Sequence, residues 1–583
     1  MILHELKALA LREGLVDDPA FESKAVPWII VLDEEGSYLG LRDTYQDVPV
    51  DKKGRPKRQA AMFSIPRRNG RRSNDAANFL VDKSEYVLGI EPDGKRADKD
   101  LESRRHLFLD LLVEASGAVD SPRLKAAIAF LNDEDARRRC TVDMKKRQYA
   151  GNDLMAFRMN GELLHTDEIT RAWWNSREIP SKLEKGSRQC ILCGKERFCV
   201  DKHDTMRIAG GAPGGSSLVA FNEPAFEKYG FERNYNAPIC RECMTGYVEG
   251  LRSLINVRYI NARTGEPVTP QNVRLSGDNT AVYWANRHNE LVEALGGLMF
   301  SAHRVRDLLN SPHRGQRSCG AADRFHCLVI SGAQGRALLR SMHTETLADL
   351  ETHLNRFFDA TRLEGDRGEP RSLGSLLRSL VLQGKLGRLP PRLAGEVFLG
   401  VLFGSKLPQS VLCAAVQRNR AEQKVTPERA ALLQLFFASH QQEEVPRMSL
   451  DAETTDAPYR LGRLLSAYEQ LQRRAQGSNA FSRTLVDRYF GDASIRPGTV
   501  FPQLVRLSQN HLGKLGQVGG YYQGLITGIV DGIGSFPAVL TLEEQGRFAL
   551  GYYHQRQTFF RSHKATDAMV EQNAQSSEGD TLQ

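Results

Sequence analysis

The sequence predicts an α+β protein, with a mixed α/β N-terminal region followed by an all-α C-terminal helical bundle. Two observations carry this. Short β-branched and aromatic runs, bounded by Gly, Asp and Glu, recur through the first 335 residues or so, and beyond about residue 345 apolar residues fall at helical spacing instead. Two CxxC pairs also sit inside the first region and set it apart from the second.

The first elements follow in order. The run Val26-Pro27-Trp28-Ile29-Ile30-Val31-Leu32 stops at Asp33-Glu34-Glu35-Gly36, and Tyr38-Leu39-Gly40-Leu41 follows at once, which reads as strand, turn and strand. Similar signals predict strands at 79–81, 86–88, 218–221 and 325–330, with helices at 101–115 and 121–133. In the second half, Leu347, Leu350, Leu354 and Phe357 form one helical stripe, and Leu376, Leu377, Leu380 and Leu382 mark another. Pro390-Pro391, Pro408 and the polar stretch 440–457 punctuate helix pairs. Tyr459, Leu461, Leu464, Leu465, Tyr468 and Leu471 then open a bundle whose further helices are expected at 484–490, 499–515, 520–532 and 541–560. The expected domains are 1–345, a helical connecting region 346–447, the bundle 448–564 and a disordered tail 565–583, whose Gln, Ser, Glu and Asp residues offer too little apolar surface to order.

At 583 residues the chain is long enough for two or three cores. Its opening, MILHELKALALREGL, mixes charges into its first turns and offers no apolar signal-peptide core. No window holds the roughly 18 to 20 uninterrupted apolar residues that span a bilayer. Nine cysteines are too few and odd in number for a disulfide framework, which points to a reducing compartment. A cytoplasmic protein with no membrane partner is expected.

Lys plus Arg number 79 against 71 Asp plus Glu, a formal charge of +8, and the excess is clustered. Residues 51–72 carry nine basic side chains, namely Lys52, Lys53, Arg55, Lys57, Arg58, Arg67, Arg68, Arg71 and Arg72, against Asp51 alone. Such a flexible basic loop gains affinity for a polyanion by releasing condensed counterions. Asn69 and Asn74 add amides of the kind that read base edges. A second concentration lies in the bundle, where residues 457–564 hold 13 basic and six acidic side chains, and 13 minus 6 leaves +7. Arg473, Arg474, Arg483, Arg488, Arg496 and Arg506 are candidates to line a groove for single-stranded DNA.

Cys190-Ile-Leu-Cys193-Gly194 and Cys240-Arg-Glu-Cys243 flank a loop of 46 residues. Two such pairs supply four thiolates for a tetrahedral, closed zinc site that braces a fold and leaves no position open for catalysis, the alternative being that a single CxxC is a redox pair or two buried thiols. This zinc-knuckle insertion has a longer spacer than common zinc ribbons, and Cys199 and His203 within it could replace a ligand. The Gly210-Gly211-Ala-Pro-Gly214-Gly215-Ser216-Ser217 stretch lacks the order of a Walker loop and leads toward a strand, so no nucleotide cofactor is expected. Its glycines suit close backbone approach to a nucleic-acid strand or a neighbouring subunit, or a plain mobile loop. No HExxH, GxSxG or comparable constellation joins a nucleophile to a base, so no enzymatic activity is expected.

Over nearly its full length the chain resembles the large subunit of the type I-C CRISPR surveillance complex, Cascade. The resemblance is carried by MILHELKALA, by Val26 to Asp33, by Asn78-Phe79-Leu80-Val81-Asp82 with Glu85 to Gly89, and by Ser217 to Asn222 with Ala225-Phe226 and Tyr229-Gly230. Tyr459 to Leu464 and Asp487-Arg488-Tyr489-Phe490 extend it. It implies a non-catalytic subunit that works with guide RNA and target DNA beside backbone subunits binding the guide RNA. Such a subunit checks the protospacer-adjacent motif, helps open the duplex and recruits a separate helicase-nuclease, while base pairing reads the sequence. Carried onto this chain, it points to Arg67, Arg68, Arg71, Arg72, Asn74, Asn78 and Lys83 for the DNA entry region, and to Ser216, Ser217 and Asn222 in second place. It also implies separately translated small subunits made from the C-terminal bundle, with Met448 as a start. The two CxxC pairs are not inherited from the resemblance and rest on their spacing. The rival is a zinc-braced RNA-binding ribonucleoprotein scaffold unrelated to CRISPR.

Overall fold

The computed structural model describes residues 2–16, 20–48, 57–67, 76–92, 96–147, 149–178, 187–256, 259–260, 267–276, 278–311, 323–333, 335–364, 369–440, 449–477 and 484–579. It is α+β, with strands and sheets in the N-terminal part and helices dominating the C-terminal part. Two compact units divide it, one of Met1–Pro270 with Gly332–Leu338, the other of Gln271–Ser331 with Leu339–Gln583.

In the first unit the expected strand pair forms: Trp28–Leu32 runs antiparallel to Tyr38–Asp43, and parallel to Leu154–Met159 on its other side. Between the parallel strands the chain passes through helices Asp98–Ala118, Pro122–Asn132 and Glu134–Lys145. Strand Val81–Lys83 closes the sheet on Leu154–Met159. Gly36 sits at φ +87 in the turn, where a Cβ would overlap the Ala126 carbonyl of the second of these helices, so only glycine lets the helix seat there. Phe79 stacks on Trp174 with ring centroids 5.3 Å apart, which places the Trp173-Trp174 pair in packing.

Several expectations are corrected. Residues 86–88 form no strand: Ser84–Val87 is one helical turn, closed by the Leu88 N–H to the Ser84 carbonyl at 2.9 Å. Tyr86 and Val87 are both fully buried, so the triplet shows no alternation to betray its state. Residues 218–221 are irregular, because the Phe221 N–H bonds to the Asn234 side chain and not to a strand. The basic stretch is not one loop. Lys57–Ala60 pairs with Tyr45–Val48, and Met62–Pro66 pairs with Phe21–Ala25.

The second unit joins elements expected to be separate. Strands Asn272–Ser276, Asn279–Ala285, Arg324–Ala333 and Arg336–Thr346 form one sheet in that order. A single apolar cluster runs from Val273 in that sheet, through Leu350 and Phe398, to Tyr459 and Phe559 in the bundle. The cluster thus draws on residues from either side of the boundary expected at 345, and from both the connecting region and the bundle. The last helix, Leu542–Gly579, continues through most of the expected tail, as a nucleated helix propagates cheaply through Ala, Glu, Gln and Met. Among the described residues no helix is long and apolar enough to cross a membrane.

Helices Ala457–Gln476 and Leu542–Gly579 cross at two glycines: a Cβ on Gly462 would overlap the Phe548 carbonyl, and one on Gly551 the Tyr459 carbonyl. Gly462→Ala raises helix propensity by about 1 kcal/mol, but overpacking costs about 1 to 3 kcal/mol, with the upper end apt here because the obstructing atom is backbone. The variant is expected to unfold at lower denaturant. A midpoint at or above that of the parent chain would reject the close crossing.

Candidate metal centre and basic segments

The first CxxC pair lies in the turn of a short hairpin, Ser187–Gln189 against Glu196–Phe198. Gly194 takes φ +70 there, its N–H reaching the Cys190 carbonyl at 2.8 Å. The second pair begins a helix: Cys240 is the N-cap of Arg241–Ile255 and Cys243 lies in its first turn. Main-chain bonds join the halves, from the Ile191 N–H to the Pro238 carbonyl at 2.9 Å and from the Val200 N–H to the Ile239 carbonyl at 3.1 Å.

These contacts gather Cys190, Cys193, Cys240 and Cys243 with their four Sγ atoms within 4.8 Å of one another. A tetrahedral zinc with bonds of about 2.3 Å needs sulfur pairs about 3.8 Å apart, and Cys193 and Cys240 stand at 3.9 Å. Cys190, Cys240 and Cys243 are buried and Cys193 is partly exposed. The donor set is closed and compatible with a structural zinc. The helix N-terminus favours anionic sulfur at Cys240 and Cys243. Lys7, from the N-terminal helix Ile2–Arg12, places its Nζ 3.1 Å from the Cys243 Sγ. That helix reaches the site because the facing positions are glycine: a Cβ on Gly250 would overlap the Leu6 carbonyl, and one on Gly246 would meet the Lys7 Cγ at 2.9 Å.

The two alternative ligands stay outside the group. Cys199 directs its Sγ to the Arg188 carbonyl at 3.6 Å, and burial, with the neighbouring thiols, pushes its pKa up to about 11. His203 lies 2.5 Å from the Tyr247 hydroxyl, and burial holds its pKa down to about 4, so the ring is neutral.

Two expected contact residues point inward. Arg67 grips Asp204 with one guanidinium nitrogen at 2.9 and 2.7 Å and donates to the Phe21 carbonyl at 3.2 Å. Burial opposes the charge on Asp204, but Arg67 and Arg252 outweigh it and hold its carboxyl below the usual range. Asn78 is 4% exposed and donates to the Pro66 and Val81 carbonyls, each at 2.9 Å, clamping the two ends of the segment between them. Lys83 is part-exposed, 3.7 Å from Glu85. Lys57 and Arg58 lie on a strand, while Lys52, Lys53, Arg55, Arg68, Arg71, Arg72 and Asn74 lie outside the described residues.

The glycine-rich stretch is used by the chain itself. The Gly332 N–H bonds to the Ala209 carbonyl at 2.8 Å, and a Cβ on Gly332 would overlap the Gly211 backbone. Ser216 is fully buried. Ser217 bonds through its N–H to the Gly335 carbonyl, and Asn222 accepts from Arg336 at 3.0 Å. In the bundle, Arg473 is held by buried Glu469 at 2.8 Å. Arg473 and Arg474 border a cleft of about 380 Å³ with Arg556 and Phe560. Arg488 lies over the Tyr489 ring at 5.2 Å, while Arg483 and Met448 are outside the described residues. Phe490 and Tyr522 are core residues, whereas Tyr521 is exposed.

Lys7, Asp204 and Tyr247 escaped the sequence reading. Each lies far along the chain from its partner, 236 residues in the case of Lys7, and no local spacing signals such a contact.

No curated protein matches the chain. A family model does, over residues 3–560, from the N-terminal helix that carries Lys7 through both cysteine pairs to the last helix of the bundle. Since that match takes in nearly the whole sequence, the chain belongs to the Cas_Csd1 family of CRISPR-associated proteins.

Proposed function

We propose that the chain is the non-catalytic large subunit of a type I-C CRISPR surveillance complex. In this reading it recognises the protospacer-adjacent motif in duplex DNA, assists duplex opening and recruits a helicase-nuclease. The observation that carries the reading is the family match across residues 3–560. The nine-to-one basic excess of residues 51–72 supports a polyanionic partner, and the absence of a nucleophile–base constellation in the sequence supports a binding role. The rival scaffold outside CRISPR draws nothing from the family match.

Within that reading, Arg68, Arg71 and Arg72 are the better candidates for phosphate contact than Arg67, whose charge is held by Asp204. The four cysteines bind one structural zinc, which fixes the hairpin 187–198 to the helix Arg241–Ile255. The bundle is also made separately as a small subunit, from a start at Met448.

The test is co-purification of the tagged chain with its neighbouring gene products, scored for guide RNA and for duplex binding with and without an adjacent motif across a salt series. Motif-dependent binding is expected. Neutralising Arg68, Arg71 and Arg72 together should reduce the slope of log affinity against log salt by about 2.7, at about 0.9 per lost phosphate contact. Purification alone, without RNA and with motif-indifferent binding, would reject the reading.

A further inference from the structure

The 46-residue spacer between the two cysteine pairs carries a feature that neither the metal nor a nucleic acid accounts for. Lys228-Tyr229-Gly230-Phe231 is a tight turn, closed by the Phe231 N–H to the Lys228 carbonyl at 3.0 Å. Both central residues have positive φ, Tyr229 at +55 and Gly230 at +72, as in the mirror-image turns where Asn-Gly is favoured. A bulky side chain is disfavoured in that conformation, and here it is a tyrosine left 93% exposed. Phe226 and Phe231 beside it are 37% and 40% exposed.

The turn is built to stay in place. The Asn236 side chain accepts from the Lys228 N–H at 2.8 Å and donates to the Phe231 and Arg233 carbonyls at 2.7 and 2.8 Å. Glu227 accepts from the Arg233 N–H at 2.9 Å. Two guanidiniums lie on the flanking rings, Arg336 over Phe226 at 4.3 Å and Arg188 over Phe231 at 5.0 Å. Exposed aromatics with stacked arginines, held in advance of binding, are the composition of an interface hot spot.

Charge decides the class of partner. Arg233 pairs with Asp201 at 2.8 Å, and along the chain Lys228 and Arg233 alternate with Glu223, Glu227 and Glu232. A surface for a polyanion carries a run of cations with few acids among them, as residues 51–72 do, whereas here acidic side chains interleave with the basic ones. We infer that Tyr229 is a docking knob for another protein subunit, which receives the ring in an apolar cup with an acceptor for the phenol hydroxyl and charges of both signs at its rim. The inference rests on the reading that the chain works inside a multi-subunit assembly, and it deepens that reading by naming the surface.

The test replaces Tyr229 with the photo-crosslinker p-benzoylphenylalanine in the full chain, co-expressed with its neighbouring genes and guide RNA. The expected adduct resists nuclease, yields to protease and maps to another subunit of the same purified complex. Tyr229→Ala should lower recovery of that subunit at least tenfold, Tyr229→Phe should retain most of it, and the melting temperature of either variant alone should not move. An adduct with nucleic acid or with a second copy of this chain, no adduct at all, or undiminished recovery with Tyr229→Ala would overturn the inference while leaving the assembly reading intact. A parent chain that recovers no protein subunit overturns both.

Discussion

Removing metal with a chelator is expected to release one equivalent of zinc and to abolish hydrogen-exchange protection across residues 187–256, while the helices of the bundle keep theirs. A structural zinc contributes about 10 to 16 kcal/mol of apparent binding free energy, which matches or exceeds the whole stability of an ordinary domain at about 5 to 15 kcal/mol. Beside the sulfur cluster, the hairpin 187–198 meets the helix Arg241–Ile255 through the Arg197–Glu242 ion pair and the Arg241 guanidinium over the Phe198 ring, both near the surface, with main-chain bonds at Ile191 and Val200 to the residues just before the helix. Cys240→Ser should reproduce the effect without chelator, because it removes one sulfur of the cluster while serine remains a good N-cap for that helix. Metal release is read with a colorimetric zinc indicator and the exchange by mass spectrometry. Protection that survives complete metal loss would show that the cysteines are merely buried thiols.

The second large effect is expected from Asp204→Ala. It strands the Arg67 guanidinium, 12% exposed, with Glu22 at 4.0 Å and the more distant Glu249 as carboxylates that still act on it. Breaking one half of a buried ion pair costs about 3 to 5 kcal/mol, whereas replacing both partners with apolar groups is close to neutral. The double variant Asp204→Ala with Arg67→Met is therefore expected to recover most of the loss, a coupling that denaturant unfolding of the four chains measures. The pH dependence has a definite sign. The folded carboxyl of Asp204 titrates below its unfolded value of about 3.9, so the pair's contribution is complete above that value and disappears as the pH falls through the lowered folded one. A single variant within about 1 kcal/mol of the parent would show that Arg67 is solvated and available for DNA after all.

What the sequence made legible follows the range of the interaction involved. The strand pair from Trp28 to Asp43 and the helix expected at 101–115 are announced by neighbours in the chain, and both form, the helix running from Asp98 to Ala118. The cysteine pairs were legible because each half of the site is local, three residues apart; only the approach of the halves needed the fold. Arg67 is the opposite case: its partner Asp204 lies 137 residues away, so nothing in the basic run tells that this member also forms an ion pair within the fold. The glycine-rich stretch was half legible. Close backbone approach is what it provides, but to the chain's own Gly332, a partner no pattern in residues 210–217 could name. Leu218 to Phe221 shows the limit of composition, since its apolar letters fit a strand while Asn234 captures the main chain.

The pairing of Lys7 with Cys243 bears on how the molecule is made. An 11-residue helix is marginal in water by itself, and the glycine-lined face that receives Ile2–Arg12 is 236 residues downstream at the cysteine contact. At about 5 to 20 residues per second, translation takes about 10 to 50 s to supply that face. The helix Ile2–Arg12 thus waits for a partner made well after it, and synthesis leaves it open to chaperones and proteases for that interval.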